Sequence, residues 1–227
     1  MFYNCNKLKS LDLSNFDTSN LINCAYMFNQ CSELQSLNLS NFNTYKLQNI
    51  EGMFNGCQKI VSLDLSNFDM SQITNMKILF RNCFFLKSLD ISNFNTSSVT
   101  NMDRMFSHCS NLTSLDLTFF DTSKVTDMYK MLCDCFILVD LNISNFITSS
   151  AKNLSYMFSN CNEIKYLDLS SFTREEAINI IYMLNNTPNL EYINLKNSKP
   201  KENTLITNLF LGTSKNLVIC TESEIIS

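Results

Sequence analysis

Ten cysteines in 227 residues are the first candidates for chemistry. Thiols can pair as disulfides, ligate a soft metal or, as thiolates, act as nucleophiles. Seven of them, Cys5, Cys31, Cys57, Cys83, Cys109, Cys135 and Cys161, recur every 26 residues. A disulfide needs converging Cβ vectors and a Cα separation of about 4.4–6.8 Å. Identical positions on stacked units point the same way, so the spacing favours reduced, buried thiols acting as small hydrophobes over bridges between units. Metal binding has less support. There is no C-x-x-C pair, Cys133 and Cys135 are too close for a zinc site, and His108 is the single histidine.

The carboxylates are the second candidates. Asp64, Asp90 and Asp116 keep the same 26-residue spacing, each between hydroxyl residues: Ser62 and Ser66, Ser88 and Ser92, Ser114 and Thr118. Carboxylates one strand apart repel. Such a column persists if hydroxyls and water solvate it, if its pKa values rise, or if a cation sits on it. One reading is a solvated carpet that keeps the protein soluble. The other is a strip that attracts a basic partner or a hard cation such as Ca²⁺. These nine residues form the candidate partner-binding strip. No nucleophile elbow, phosphate loop, paired His–Glu motif or isolated carboxylate dyad is present, so no enzyme, cofactor or resident metal is expected. Six N-x-S/T sequons, at Asn38, Asn95, Asn111, Asn142, Asn153 and Asn185, are what an Asn- and Ser-rich repeat produces by composition.

The elements that must position these residues follow from the repeat. Phe16, Phe42, Phe68, Phe94, Phe120, Phe146 and Phe172 share the period, as do leucine triplets from Leu8, Leu11 and Leu13 to Leu190, Ile193 and Leu195. Within a unit, Ser10 to Ser14 alternates polar and apolar residues, the strand pattern. Phe16 then turns inward. Asp17-Thr18-Ser19 offers helix caps, and Leu21, Cys24, Met27, Phe28 and Cys31 follow at spacings that fit one face of a short helix. The column Asn23, Asn49, Asn75, Asn101, Asp127, Asn153, Asn179 reads as a turn or capping ladder that can bond the adjacent unit. One unit cannot bury its own apolar face, so units must stack. The expected fold is a right-handed α/β leucine-rich-repeat solenoid, with parallel strands on the concave side and short helices on the convex side. Its domains are a solenoid over residues 1–195 and a degenerate capping repeat over 196–227. Toward the C-terminal side Thr187 replaces the cysteine, Arg174-Glu175-Glu176 replaces the Thr-Ser run, and a polar stretch from Lys196 to Asn203 is expected to break the register.

Hydrophobic residues make up 45 % of the chain and charged residues 17 %, the balance of a folded protein with a real core. A net charge of −4 argues against nucleic acid as a partner and leaves no polybasic membrane patch. No apolar run is long enough to span a bilayer. Residues 1–13 already read as repeat, with Met1-Phe2 where Met27-Phe28 falls later, so no signal peptide is expected within this chain. Leu8, Leu11 and Leu13 would then leave an uncapped apolar end prone to self-association.

One unit shows the motif almost complete: Met105-Phe106, Cys109, Leu112, Leu115-Asp116-Leu117, Phe120-Asp121-Thr122-Ser123 and Val125-Thr126-Asp127-Met128. This pattern closely resembles the 26-residue repeat of the BspA-like leucine-rich-repeat surface proteins, over residues 1 to 172 and more loosely beyond. The resemblance implies a cell-surface or secreted protein used in adhesion or host contact, with a protein or glycan ligand. Reduced thiols and the missing leader favour the competing expectation, an intracellular protein–protein interaction scaffold. In either case binding, not catalysis, is the expected role.

Overall fold

The computed structural model describes residues 1–172, 179–198 and 204–221, and the backbone of 225–226. Arg174-Glu175-Glu176 and the 199–203 part of the polar stretch lie outside the described residues. The chain winds into a parallel β-solenoid of about eight turns, one per 26 residues. Its strands are three residues long: β1 (Ser10–Asp12), β2 (Ser36–Asn38), β3 (Ser114–Asp116), β4 (Asp140–Asn142), β5 (Tyr166–Asp168), β6 (Tyr192–Asn194) and β7 (Val218–Cys220). β1 pairs with β2, β3 with β4, and β5 with β6 and β6 with β7, always in parallel and always 26 residues apart. The register therefore continues across the compositional change after residue 195. A two-residue strand, β8 (Ile225–Ile226), runs antiparallel on β7.

The expected convex helices do not form among the described residues, so the α/β assignment is corrected to an all-β solenoid. The backbone gives the reason. After the first unit, which has Asn4 alone, each unit carries two residues in the left-handed region four positions apart, such as Tyr26 and Gln30, Gly52 and Gly56, or Arg104 and His108. A right-handed helix cannot pass through such residues. Alternate amides also bond in different directions. Met27, Asn29 and Cys31 donate back to the carbonyls of Cys24, Tyr26 and Phe28 in their own turn. Tyr26, Phe28 and Gln30 donate to Glu51, Met53 and Asn55 of the next unit. Two successive tight corners thus reproduce the three- and four-residue apolar spacing of a helix while keeping half the amides for stacking.

Three columns of side-chain oxygens make the remaining corners. Oδ1 of Asp12, Asn38, Asp64, Asp90, Asp116, Asn142, Asp168 and Asn194 each accepts the amide two residues on. Asp17, Asn43, Asp69, Asn95 and Asp121 do the same at the next corner, where a helix cap was expected. The column from Asn23 to Asn179 does so at the third, where each side-chain oxygen turns its own unit, while the backbones of the column bridge from unit to unit and Asn75 Nδ2 donates to Glu51 one unit back. This local Asx geometry replaces glycine and proline as the turning device. Buried Thr18, Thr44, Thr96 and Thr122 add a bond between turns, each hydroxyl accepting an amide of the following unit.

The core is a set of stacked columns. Phe28, Phe54, Phe80 and Phe106 lie nearly parallel with centroids 5.6–5.8 Å apart. Phe42 and Phe68, and Phe146 and Phe172, stack at 6.3 Å nearer the strand side. Phe94 is 2 % exposed, whereas Phe16, in the first turn, is 48 % exposed. The corner ladder runs unbroken from Phe2 to Leu184, but residues 62–64 and 88–90 extend without a regular strand ladder. With no helices to splay the corner side, the reason for expecting a concave strand side is absent. That side is called the strand face below.

Candidate functional site

The cysteine column belongs to the core. Sγ of Cys57, Cys83, Cys109 and Cys135 donates to the carbonyls of Phe28, Phe54, Phe80 and Phe106 one turn back, at 3.2–3.3 Å. Burial pushes these thiols up, to about 12 at Cys109 and Cys161. All ten cysteines are free thiols. A protonated, buried sulfur is a poor nucleophile.

One other cluster has the residue types of an active site. Asp134 accepts from Cys133 Sγ at 2.9 Å and Asn160 Nδ2 at 2.6 Å, with His108 Nε2 at 3.3 Å. Cys133 is buried, and burial, followed by the bond to Asp134, raises its pKa. The proton therefore stays on sulfur. Asp134 and Asn160 also sit in the left-handed corner column, where their bond links two turns. This is corner stitching. Among the described residues no group of three His, Cys, Asp or Glu is placed to hold a metal ion.

The nine strip residues share the strand face, exposed except for half-buried Thr118. Their carboxylates are already engaged. Asp64 accepts both the hydroxyl of Ser66 at 2.7 Å and its amide at 3.0 Å. Asp90 has the same two bonds from Ser92, and Asp116 accepts the amide of Thr118. These donors hold all three carboxyls below their ordinary value of 3.8. At Asp90 the opposing push from Asp64 is the weakest contribution. Of the three ways such a column could persist, donation by neighbouring hydroxyls and amides is the one seen, and it draws the carboxyl pKa values down, not up. The Asp–Ser column is thus a turn-forming device that also displays negative charge.

The structure extends the candidate surface toward the C-terminus. A depression of about 650 Å³ on the strand face is lined by Ser114, Asp116, Val139, Asp140, Asn142, Lys165 and Tyr166, with Leu115 and Leu141 at its floor. Only Ser114 and Asp116 come from the expected strip. A second depression, about 570 Å³, lies on the far side of Tyr166 and is lined by Pro188, Asn189, Glu191, Tyr192, Ser214, Asn216 and Val218. Between them Tyr166 is 66 % exposed, and Val139 is 50 % exposed. Lys165 reaches Glu191 at 3.6 Å, and the Tyr166 hydroxyl donates to Glu191 at 3.4 Å. The missed residues carried a readable signal: the first strand position is serine in Ser10, Ser36, Ser62, Ser88 and Ser114, then becomes Asp140, Tyr166, Tyr192 and Val218. The corner side contrasts with this face. There Arg104 lies 4.5 Å over the ring of Tyr129, Lys130 lies 5.0 Å from that of Tyr156, and Tyr156 stacks on Tyr182 at 4.9 Å. Buried Asp103 is paired with Lys77 at 3.1 Å and Arg104 at 2.9 Å.

A parallel stack of 26-residue turns, leucines inward and Asx corners outward, defines a leucine-rich-repeat solenoid. The chain belongs to the BspA-like repeat family described as "Mycoplasma protein of unknown function, DUF285", whose model matches residues 1–83, 59–166 and 115–217. No curated protein is detectably similar in sequence. Among solved structures, a leucine-rich repeat protein from Bacteroides ovatus is 17 % identical with a TM-score of 0.47, over 97 % of this chain and 57 % of that one. A leucine-rich cell surface protein from Faecalibacterium prausnitzii is 15 % identical with a TM-score of 0.33, over 98 % and 75 %. An internalin from Listeria monocytogenes is 16 % identical with a TM-score of 0.38, over 94 % and 62 %. The chain thus spans little more than half the length of the first of these. Among the described residues no helix is long and apolar enough to cross a membrane.

Proposed function

We propose that this chain is a macromolecule-binding module of the cell surface or extracellular space, and that it docks a protein or glycan partner on its strand face. The observation that carries this reading is the uncovered ring of Tyr166 between two depressions, at a strand position where the units from Ser10 to Ser114 carry serine. A large exposed aromatic beside exposed Val139 is what binding surfaces retain and inert surfaces avoid. On the corner side, by contrast, Tyr129, Tyr156 and their cations satisfy one another. The resemblance to surface repeats supports the location. In this reading residues 1–195 form the binding solenoid and 196–227 its cap, a role suited to β8, which pairs with β7 at the end of the sheet.

Adhesion of the purified chain to immobilised extracellular-matrix proteins tests the proposal. Tyr166→Ala combined with Val139→Ser is expected to abolish adhesion, while Lys130→Ala on the corner side leaves it intact. Adhesion that survives the strand-face change, or is absent against every immobilised protein and glycan, overturns the reading.

A further inference from the structure

The inference rests on the docking role of the strand face and names the chemistry of its occupant. We propose that the depression over β3 and β4 takes an arginine-bearing stretch of a partner polypeptide, with the guanidinium laid on Tyr166 and paired with Asp116 and Asp140. Three observations converge on this. First, Tyr166, 66 % exposed, is the most exposed aromatic ring among the described residues, and its ring face is open to a cation. The cation–π contacts among the described residues involve Tyr45, Tyr129 and Tyr156. Its neighbour Lys165 is turned to Glu191. An uncovered tyrosine face attracts a cation, and a planar guanidinium can stack on it while its edge donates to carboxylates. Second, the depression is negatively charged. Asp116 stays ionised because Thr118 donates to it, one oxygen being taken by the Thr118 amide. Asp140 lines the same hollow, and the charge of Lys165 is offset by Glu191. Third, Val139 offers exposed apolar surface there, suited to the aliphatic stem of a long cationic side chain. The second hollow, across Tyr166, gives the partner chain room to continue beside Tyr192 and Val218.

The three features select against other occupants. A glycan would gain from the ring but little from two carboxylates. A hard cation prefers several converging oxygens, and the described residues offer no such cluster. An acidic peptide would be repelled by Asp116 and Asp140.

The test uses the 227-residue chain and a fluorescein-labelled Gly–Ser decapeptide carrying two arginines, with citrulline and glutamate counterparts, read by fluorescence anisotropy. The arginine peptide is expected to bind and to weaken as salt is added. Tyr166→Leu should weaken it by about 5-fold or more. Asp116→Asn with Asp140→Asn should weaken it by about 10-fold or more. Lys130→Ala should leave it unchanged, and unaltered thermal unfolding of each variant confirms that the fold is retained. Equal binding of the citrulline peptide overturns the cation assignment, and arginine binding indifferent to Tyr166→Leu overturns the site. If the arginine peptide is silent but adhesion still depends on Tyr166, the occupant is wrong and the docking face stands. If adhesion is indifferent to Tyr166 as well, both fall.

Discussion

A phenylalanine and an aspartate at fixed places in the repeat have opposite jobs. Phe94 is buried within the phenylalanine column of the central turns. Its truncation to alanine removes a ring that neighbouring turns cannot fill, and should cost about 3–5 kcal/mol. Lys87→Ala, on the exposed surface of the same turn, should stay within about 0.5 kcal/mol. Denaturant titration compares them, and equal small effects would show that the column is not the core. The aspartates act through protonation. Asp64, Asp90 and Asp116 have carboxyls held below their ordinary value by Ser66, Ser92 and Thr118. A native pKa below the unfolded one stabilises the fold above the unfolded value, and this contribution is lost as pH falls through the lowered native values. Asparagine at the three positions keeps the turn-forming oxygen and removes the titration. The triple variant should therefore lose thermal stability less steeply than the parent between about pH 5 and pH 2. Parallel acid profiles would contradict this.

At the scale of the element, the period was plain in the sequence and the local conformation was not. Strands at Ser10–Asp12 and Ser114–Asp116 follow from alternation, and the inward columns follow from recurrence. The helix expected over Leu21 to Cys31 was misread because two tight corners and one helical face bury the same positions. The signal that distinguishes them is the pair Gly52 and Gly56, four apart, together with asparagines at Asn82, Asn160 and Asn186 in the same column as Gly56. All take positive φ. The turn-forming bonds of the Asp–Ser strip are not legible in the sequence, because the same residue type serves solvent, backbone or ligand. Tyr166 is hidden among the regular serines of its column, and its departure from serine is the informative feature. The corner account makes its own prediction. Gly52 has φ +56°, and an added Cβ would lie 2.8 Å from the ring of Tyr26. That ring is anchored by its hydroxyl bond to Glu51. At Gly56 the obstacle is the mobile end of Gln30. Gly52→Ala should destabilise by about 1–3 kcal/mol, and by more than Gly56→Ala. A neutral Gly52→Ala in urea unfolding would argue for a different corner.

The whole molecule divides its surface by side. The corner side is closed upon itself, with Arg104 and Lys130 seated on their own tyrosines and Asp103 doubly paired. At its first and third strand positions the strand face is a repeating array of serine and aspartate or asparagine through β3, and from Asp140 onward it departs from serine, leaving Tyr166 and Val218 uncovered in its place. A solenoid suits this division, since stacking fixes the backbone of each turn and leaves its outward side chains free to differ. The central claim is that binding happens where the array breaks. Hydroxyl-radical footprinting of the tyrosines, with the chain free and then bound to the matrix protein it adheres to, tests that claim most directly. Tyr166 should become protected while Tyr129, Tyr156 and Tyr182 react as before. Protection confined to Tyr129, Tyr156 and Tyr182, with Tyr166 unchanged, would contradict it.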